Sequence, residues 1–152
     1  MQAEGRNEAG RRGVLVANLG TPESPDRRGV ARFLREFLSD PRVVDLPRWL
    51  WLPLLNLVII PLRCGRSAAA YRSIWLPEGS PLLVFTRRLA KKLAARVQGQ
   101  WQVESGMRYG KPSIHSALAD LRNGGVKLLT VLPLYPQFSG TTTLSIFDAV
   151  DQ

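Results

Sequence analysis

Three short apolar runs, separated by helical patterns, constrain the fold of this chain more than any other feature. They lie at residues 13–19 (GVLVANL), 101–107 (WQVESGM) and 126–132 (VKLLTVL). Strands that alternate with helices form a parallel sheet, because a helical crossover returns the chain to the edge where the next parallel strand begins. Apolar strands of this kind are covered on both faces. We therefore predict an α/β fold, an open parallel sheet with helices on both faces.

The segments between the strands carry helix-start signals and apolar stripes. Ser24-Pro25-Asp26 predicts the start of a first helix, capped by Ser24, and Ser80-Pro81 predicts the start of a second. The spacing of apolar residues predicts that the second helix buries one face, formed by Leu82, Phe85, Leu89, Leu93 and Val97. A third helix is expected to bury a stripe formed by Ile114, Ala117, Leu118 and Leu121.

The composition limits the partners of the chain. The formal net charge is +9, and 17 of the 21 basic residues are arginines. Aromatic residues do not interleave with the arginines, so we expect a solvated basic face and no nucleic-acid partner. One cysteine, Cys64, and one histidine, His115, exclude an internal disulfide and a multi-histidine metal site. We also expect no metal site and no cofactor in this chain, and we expect His115 to lie at the surface.

The most apolar stretch, residues 49–62 from Trp49 to Leu62 (WLWLPLLNLVIIPL), contains one polar side chain, Asn56. It is shorter than the roughly 20 residues that a membrane span needs, and prolines interrupt it. Two interpretations stay open: a buried core helix, which the residues alone favour, and an exposed apolar lip beside a pocket. The tryptophans and the flanking Arg48 and Arg63 suit a membrane interface.

The two ends of the chain differ in character. Residues 1–12 (MQAEGRNEAGRR) are polar and lack the apolar segment of a secretory signal. We predict a polar extension over residues 1–12, followed by one lobe over residues 13–152, in a cytoplasmic protein. The chain stops at Gln152 inside a helical pattern at residues 143–150, so we expect the lobe to be truncated.

Three loops are candidates for a ligand site. Ligands of open α/β sheets bind beyond the carboxyl ends of the strands, where residues 18–22 (NLGTP), 107–110 (MRYG) and 133–143 (PLYPQFSGTTT) are expected. The third loop is rich in hydroxyls and leads into a helix, which favours anions. A cation at Arg108 must meet an anion or water if it is buried. The glycine patterns of dinucleotide sites and P-loops are absent.

Five stretches, in order, resemble the N-terminal half of bacterial ferrochelatase, the enzyme that inserts ferrous iron into a porphyrin to make haem. They are LVANLGTPESP (15–25), FLREFLSDPRVVDLP (33–47), AAYRSIWLPEGSPL (69–82), GMRYGKPSI (106–114) and LPLYPQFSGTTT (132–143). Together they place nearly the whole chain within the resemblance. It implies a Rossmann-like chelatase lobe, one of two that face each other across a porphyrin cleft, with protoporphyrin IX or coproporphyrin III and ferrous iron as substrates.

The resemblance also implies roles for particular residues. The porphyrin-binding positions are Leu19, Tyr71, Arg72, Ser80, Arg108, Tyr109, Gln137, Phe138, Ser139 and Thr141. The catalytic histidine and acidic residue of the family belong to the second half, and His115 does not match that histidine. We therefore expect no catalytic residue in this chain, and an inactive protein when it is isolated.

The resemblance reverses the preference for residues 49–62, which it identifies as a hydrophobic lip that gives the protein a peripheral membrane contact. Cys64 alone cannot support the iron–sulfur cluster that some relatives hold. Two rivals stay open. One is a non-catalytic, membrane-peripheral porphyrin- or haem-binding protein, and the other is a phosphate- or nucleotide-binding module that uses residues 139–143.

Overall fold

Three parallel strands form an open sheet at the centre of the protein. A computed structural model describes residues 11–152 except 98 and 100. The strands are β1 (Arg11–Gly20), β2 (Trp101–Tyr109) and β3 (Val126–Pro133), in the spatial order β2-β1-β3. Both neighbours run parallel to β1, with Val14 level with Val103 on one side and Thr130 on the other. The predicted strands and their parallel arrangement are confirmed.

The first strand begins earlier than the predicted boundary at residue 13. Arg11 and Arg12 belong to β1, so they are part of the sheet and not of a polar extension; residues 1–10 of the predicted extension lie outside the described residues. Both arginines find partners there. Arg11 donates from Nη1 to the carbonyl of Gly124 (2.9 Å), and the Arg12 guanidinium lies 5.4 Å from the ring centre of Trp101.

The described part of the chain contains six α-helices. They are α1 (Arg27–Leu38), α2 (Arg48–Leu54), α3 (Ile60–Ile74), α4 (Pro81–Arg96), α5 (Ile114–Asn123) and α6 (Ser145–Asp151). Asp26, and not Ser24, caps α1: its carboxylate accepts from the Gly29 amide (2.8 Å), and Ser24 donates to that carboxylate. The predicted start of α4 is confirmed, and Ser80 caps this helix by accepting from the Leu83 amide.

The two faces of the sheet are covered by different helices. Leu15 and Ala17 of β1 point towards α5 and α6, where they pack with Leu121 and Ile146. Val14 and Val16 point the other way, towards Ala90 of α4. This arrangement gives helices on both faces, as the alternation of strands and helices predicts.

Two apolar faces are more exposed than the sequence predicts. In α4 the buried residues are Val84, Thr86 and Ala90, while Leu82, Phe85 and Leu89 are exposed. Strand β3 is likewise not fully buried: Leu128 and Leu132 are exposed. The exposure of the β3 side chains follows from the position of this strand in the sheet. β3 is an edge strand of the described sheet and α4 packs on β1 and β2, so no described helix covers this side of β3.

Candidate functional site

The carboxyl ends of the three strands lie side by side, as the parallel topology requires. Gly20 at the end of β1 is level with Tyr109 of β2, and Ala17 is level with Pro133 of β3. The loop after β3 stays attached to the central strand, because the Leu134 amide donates to the carbonyl of Ala17 (2.8 Å). The three loops predicted to carry a ligand site therefore begin at one edge of the sheet.

The loop after β1 is fixed by a buried asparagine and a tight glycine. Asn18 donates from Nδ2 to Thr86 Oγ1 of α4 (3.0 Å), and its Oδ1 accepts from the Leu19 amide (2.8 Å). Gly20 has a φ of +115°, and a β-carbon there would lie 1.8 Å from the carbonyl oxygen of Tyr109. Only glycine fits this position. Leu19 is thereby held half-buried at the end of the strand.

Arg108 and Tyr109, at the end of β2, share one carboxylate. Arg108 Nη2 lies 2.6 Å from Asp40 Oδ2, and the Tyr109 hydroxyl donates to the same oxygen at 2.7 Å. Arg108 also donates from Nε to Ser145 Oγ of α6 (2.7 Å). The side chains of Arg108 and Asp40 are only 20% and 8% exposed. The requirement that a buried Arg108 meet an anion is therefore confirmed, and the anion belongs to the protein itself.

The Tyr109 ring is enclosed by its neighbours. Phe37 of α1 packs edge-on against it with 5.2 Å between ring centres, and the Arg108 guanidinium lies 4.7 Å from its ring centre. Burial raises the pKa of the Tyr109 hydroxyl well above its usual value. With 1% of its surface exposed, Tyr109 stabilises the cluster and offers little surface to a ligand.

A cavity of about 390 Å³ opens beside this cluster. Its charged lining consists of two arginines and three carboxylates, namely Arg42, Arg108, Glu36, Asp40 and Asp148. Arg42 forms a bidentate ion pair with Asp148, which lowers the pKa of that carboxyl. Each arginine therefore has a carboxylate partner, and the lining carries no excess of positive charge to attract an anionic ligand.

The loop after β3 contains an exposed aromatic ring and, next to it in sequence, a set of paired hydroxyls. Phe138 is 70% exposed, and Gln137 beside it is also exposed. Ser139 Oγ lies 3.2 Å from Thr141 Oγ1 and 2.6 Å from Thr142 Oγ1. These hydroxyls bond to one another at the start of a π-helical turn (Gly140–Leu144) that leads into α6. The loop thus presents Gln137 and Phe138 to solvent.

Tyr71, Arg72 and Ser80 lie elsewhere. Tyr71 and Trp75 meet edge-on with ring centres 6.3 Å apart, and burial raises the pKa of the Tyr71 hydroxyl. Arg72 is exposed, and Ser80 is buried as the cap of α4. Among the described residues, no hydrogen bond, ion pair or ring contact joins these three to Arg108 or Tyr109.

The apolar stretch at residues 49–62 is neither wholly core nor wholly lip. A π-helical turn (Leu55–Ile59) joins α2 to α3 between the two prolines, which cannot donate backbone hydrogen bonds. Leu55 and Ile60 are buried with Cys64 against α1, and Trp51 donates from Nε1 to the Leu38 carbonyl (2.7 Å). The opposite side is an exposed apolar strip formed by Trp49, Leu50, Leu54, Leu57, Val58 and Leu62.

The remaining expectations concern His115, metal ligands and membrane spans. His115, the second residue of α5, is exposed, as predicted. Within the described ranges, 11–97, 99 and 101–152, no group of three or more histidine, cysteine or acidic side chains is arranged to hold a metal. In the same ranges no helix is both long and apolar enough to cross a membrane.

Sequence reasoning missed Asp40 and Ser145, which complete the Arg108 cluster. Asp40 lies within the stretch FLREFLSDPRVVDLP and is 68 positions from Arg108. The sequence indicated only that a buried arginine needs an anion. It did not indicate which carboxylate would be that anion.

Comparisons with known proteins agree on one family. The sequence model of the ferrochelatase family matches residues 11–152. The chain is 57% identical to the ferrochelatase of Methylococcus capsulatus over 143 residues, which are 93% of this chain and 43% of that protein. It is 57% identical to that of Xanthomonas axonopodis pv. citri over 91% of its length, and 51% identical to that of Alcanivorax borkumensis over 92%. The chain thus spans about 43% of the length of these relatives.

Proposed function

This chain belongs to the ferrochelatase family, and on that premise we propose that it forms one wall of a porphyrin slot in which ferrous iron is inserted. The match to the family covers the described lobe from its first strand onwards. Ferrous iron and the porphyrin are the substrates in this proposal. The porphyrin contacts assigned to the carboxyl-end loops are Leu19, Gln137 and Phe138, with Arg108 at the adjacent cavity.

The chemistry explains what such a wall must do. A flat porphyrin points its nitrogen lone pairs inward and carries two N–H protons, so a metal enters slowly in the absence of a catalyst. An enzyme helps by holding the ring in a bent shape and by supplying a base for the protons. The residues of this chain would contribute to the bending, because they bind and orient the macrocycle through apolar and aromatic contacts.

The observation that carries the proposal is the exposed Phe138 at the shared edge of the sheet. Phe138 is 70% exposed, in a loop whose hydroxyls are already paired, so most of its ring is not packed against the described protein. A macrocycle stacked on Phe138 removes that surface from water and adds a ring–ring contact. The half-buried Leu19 lies at the end of the adjacent strand, β1, and would extend the same apolar wall.

A membrane contact forms the second part of the proposal. The exposed strip on α2 and α3 places Trp49 and Leu62 beside Arg48 and Arg63, the combination that suits an anionic membrane surface. We propose that this strip rests on the cytoplasmic face of a membrane, where an apolar porphyrin partitions. Tyr109, Ser139 and Thr141 would shape the slot from behind. Within the described residues, Tyr71, Arg72 and Ser80 do not contact Arg108 or Tyr109, and their assignment to the site rests on the family resemblance alone.

A hybrid enzyme tests the proposed function. Residues 11–152 of this chain replace the matching segment of the Methylococcus capsulatus ferrochelatase, and ferrous iron insertion is measured with protoporphyrin IX and with coproporphyrin III. The unmodified relative, assayed in parallel, is the control. We expect the hybrid to insert iron into one of the two porphyrins at a rate within about tenfold of the control. A folded, monodisperse hybrid that inserts iron no faster than the enzyme-free reaction would contradict the proposal.

A further inference from the structure

The carboxylate of Asp40 receives more hydrogen bonds than any simple ion pair needs. Its Oδ2 accepts from Arg108 (2.6 Å), from the Tyr109 hydroxyl (2.7 Å) and, more weakly, from Ser145 Oγ (3.4 Å). Its Oδ1 accepts from the Arg42 amide (2.8 Å). One buried carboxylate therefore ties the end of β2 to α6 and to the turn that follows α1.

The backbone around Asp40 is fixed as well. Its carbonyl accepts from the amides of Val43 (2.9 Å) and Val44 (3.1 Å), which closes a turn directly after α1. Phe37, one helical turn before Asp40, packs on the ring of Tyr109. The carboxylate is thus held from its backbone side as well as by the arginine that it binds.

The consequence falls on Arg108. Two of its three nitrogens are bonded, Nη2 to Asp40 and Nε to Ser145, so the plane of the guanidinium is set by two fixed partners. The third nitrogen, Nη1, has no hydrogen-bond partner among residues 11–97, 99 and 101–152, and Arg108 lines the cavity of about 390 Å³. An arginine held in this way offers a donor of fixed direction.

We propose that Asp40 is a positioning residue that orients Arg108 and thereby fixes the donor that Arg108 offers to a porphyrin, or to a water bound against it, in the cavity. This inference rests on the proposed function. Because Asp40 neutralises Arg108, the donor favours a neutral acceptor over a porphyrin propionate. Asp40 itself touches no substrate and acts only through Arg108.

The first test needs no activity. In this chain, the Nη2 hydrogens of Arg108, which donate to Asp40, are followed by ¹⁵N NMR, with Asp45→Asn as the matched control. Asp45 lies in the same loop, is exposed and stands outside the cluster. We expect a resolved signal, slow to exchange with water, in the unmodified chain and in Asp45→Asn, and a rapidly exchanging signal in Asp40→Asn. An unchanged exchange rate in Asp40→Asn would overturn the proposal, whatever the activity of the hybrid enzyme.

The second test is a double-mutant cycle in the hybrid enzyme, with Asp40→Asn, Arg108→Leu and the pair, and with kcat and KM expressed per folded enzyme. Activity of the unmodified hybrid tests the proposed function separately, since that function fails if the hybrid is inactive. We expect Asp40→Asn to lower kcat/KM at least about tenfold, and the double variant to match Arg108→Leu alone.

Two results would overturn the role of Asp40 in the cycle. The first is a double variant whose kcat/KM is lower than that of Arg108→Leu by the full factor that Asp40→Asn costs alone. A residue that acts through Arg108 has no further effect once Arg108 is gone. The second is an Asp40→Asn variant with a lowered melting temperature but unchanged kcat and KM. That result would mean that Asp40 stabilises the fold and does not position Arg108 for the substrate. If Asp40→Asn does not fold, Asp40→Glu replaces it, since it keeps the charge and moves the carboxylate.

Discussion

The Arg108 guanidinium lies 2.6 Å from the Asp40 carboxylate, although 68 positions separate the two residues in the chain. The pair joins the end of the second strand to the turn after the first helix, where it is largely shielded from water. Ion pairs in such surroundings are strongly coupled to folding, because loss of one partner leaves the other charge buried and unpaired.

Replacement of Arg108 should therefore cost stability. We expect Arg108→Leu to lower the free energy of unfolding by about 3 kcal/mol, measured by urea denaturation of this chain. The matched control is Arg88→Leu, which removes the exposed Arg88–Glu78 pair, 2.8 Å long. That change should cost less than about 1 kcal/mol, because exposed pairs contribute little. Equal losses in both variants would mean that the Arg108 pair gains nothing from its burial.

Removal of the hydroxyl should affect stability differently at two tyrosines near the site. The Tyr135 hydroxyl is buried without a partner among the described residues, whereas the Tyr109 hydroxyl donates to Asp40. Tyr135→Phe should leave stability unchanged or raise it by up to about 1 kcal/mol, and Tyr109→Phe should lower it by about 1 to 2 kcal/mol. Denaturant unfolding of both variants measures the difference. A clear loss of stability in Tyr135→Phe would show that its hydroxyl is satisfied in solution.

The same hydroxyl predicts a pH dependence. Burial raises the pKa of Tyr135 to about 12, against an ordinary value near 10. Between these values the unfolded chain has lost the proton that the folded protein keeps, so stability falls as pH rises through this window. We expect Tyr135→Phe to lose stability less steeply than the unmodified chain from pH 10 to pH 12. Parallel curves for the two proteins would contradict the raised pKa.

The two tryptophans of the apolar stretch should separate membrane contact from folding. Trp49 is 79% exposed, whereas Trp51 packs against the first helix and donates to the Leu38 carbonyl. We expect Trp49→Ser to weaken binding to anionic phosphatidylglycerol vesicles several-fold and to change stability by less than about 0.5 kcal/mol. Trp51→Ser should instead cost about 2 to 3 kcal/mol. Vesicle binding that is the same with and without Trp49 would remove this strip from the membrane contact.

Local sequence patterns predicted the three strands and several helix starts, because these depend on neighbouring residues, but they did not predict α3 beyond residue 62. The apolar runs located all three strands, and Ser80-Pro81 located the start of α4. The errors arose where tertiary packing decides. Leu82 and Phe85 follow an ideal apolar stripe, yet α4 lies on the sheet with Val84 and Ala90 inward, so the stripe is exposed.

The candidate site was predicted only in part, for a similar reason. The carboxyl ends of parallel strands must meet, so the positions of Leu19, Arg108 and the loop after β3 followed from the topology. The partners of Arg108 did not, because Asp40 and Ser145 reach it from distant parts of the chain. Periodicity describes single elements and carries no information about such contacts.

Porphyrin affinity at Phe138 tests most directly the claim that this edge of the sheet forms a porphyrin wall. The hybrid enzyme is titrated with porphyrin, and the Kd is compared between Phe138→Ser and Phe85→Ser. Phe85, 59% exposed on α4, is the matched control, since both rings lie at the surface but only Phe138 follows a strand end. We expect Phe138→Ser to raise the Kd at least about tenfold, equivalent to about 1.4 kcal/mol, and Phe85→Ser to leave it unchanged. Equal Kd values for both variants and the unmodified hybrid would contradict a porphyrin wall at this edge.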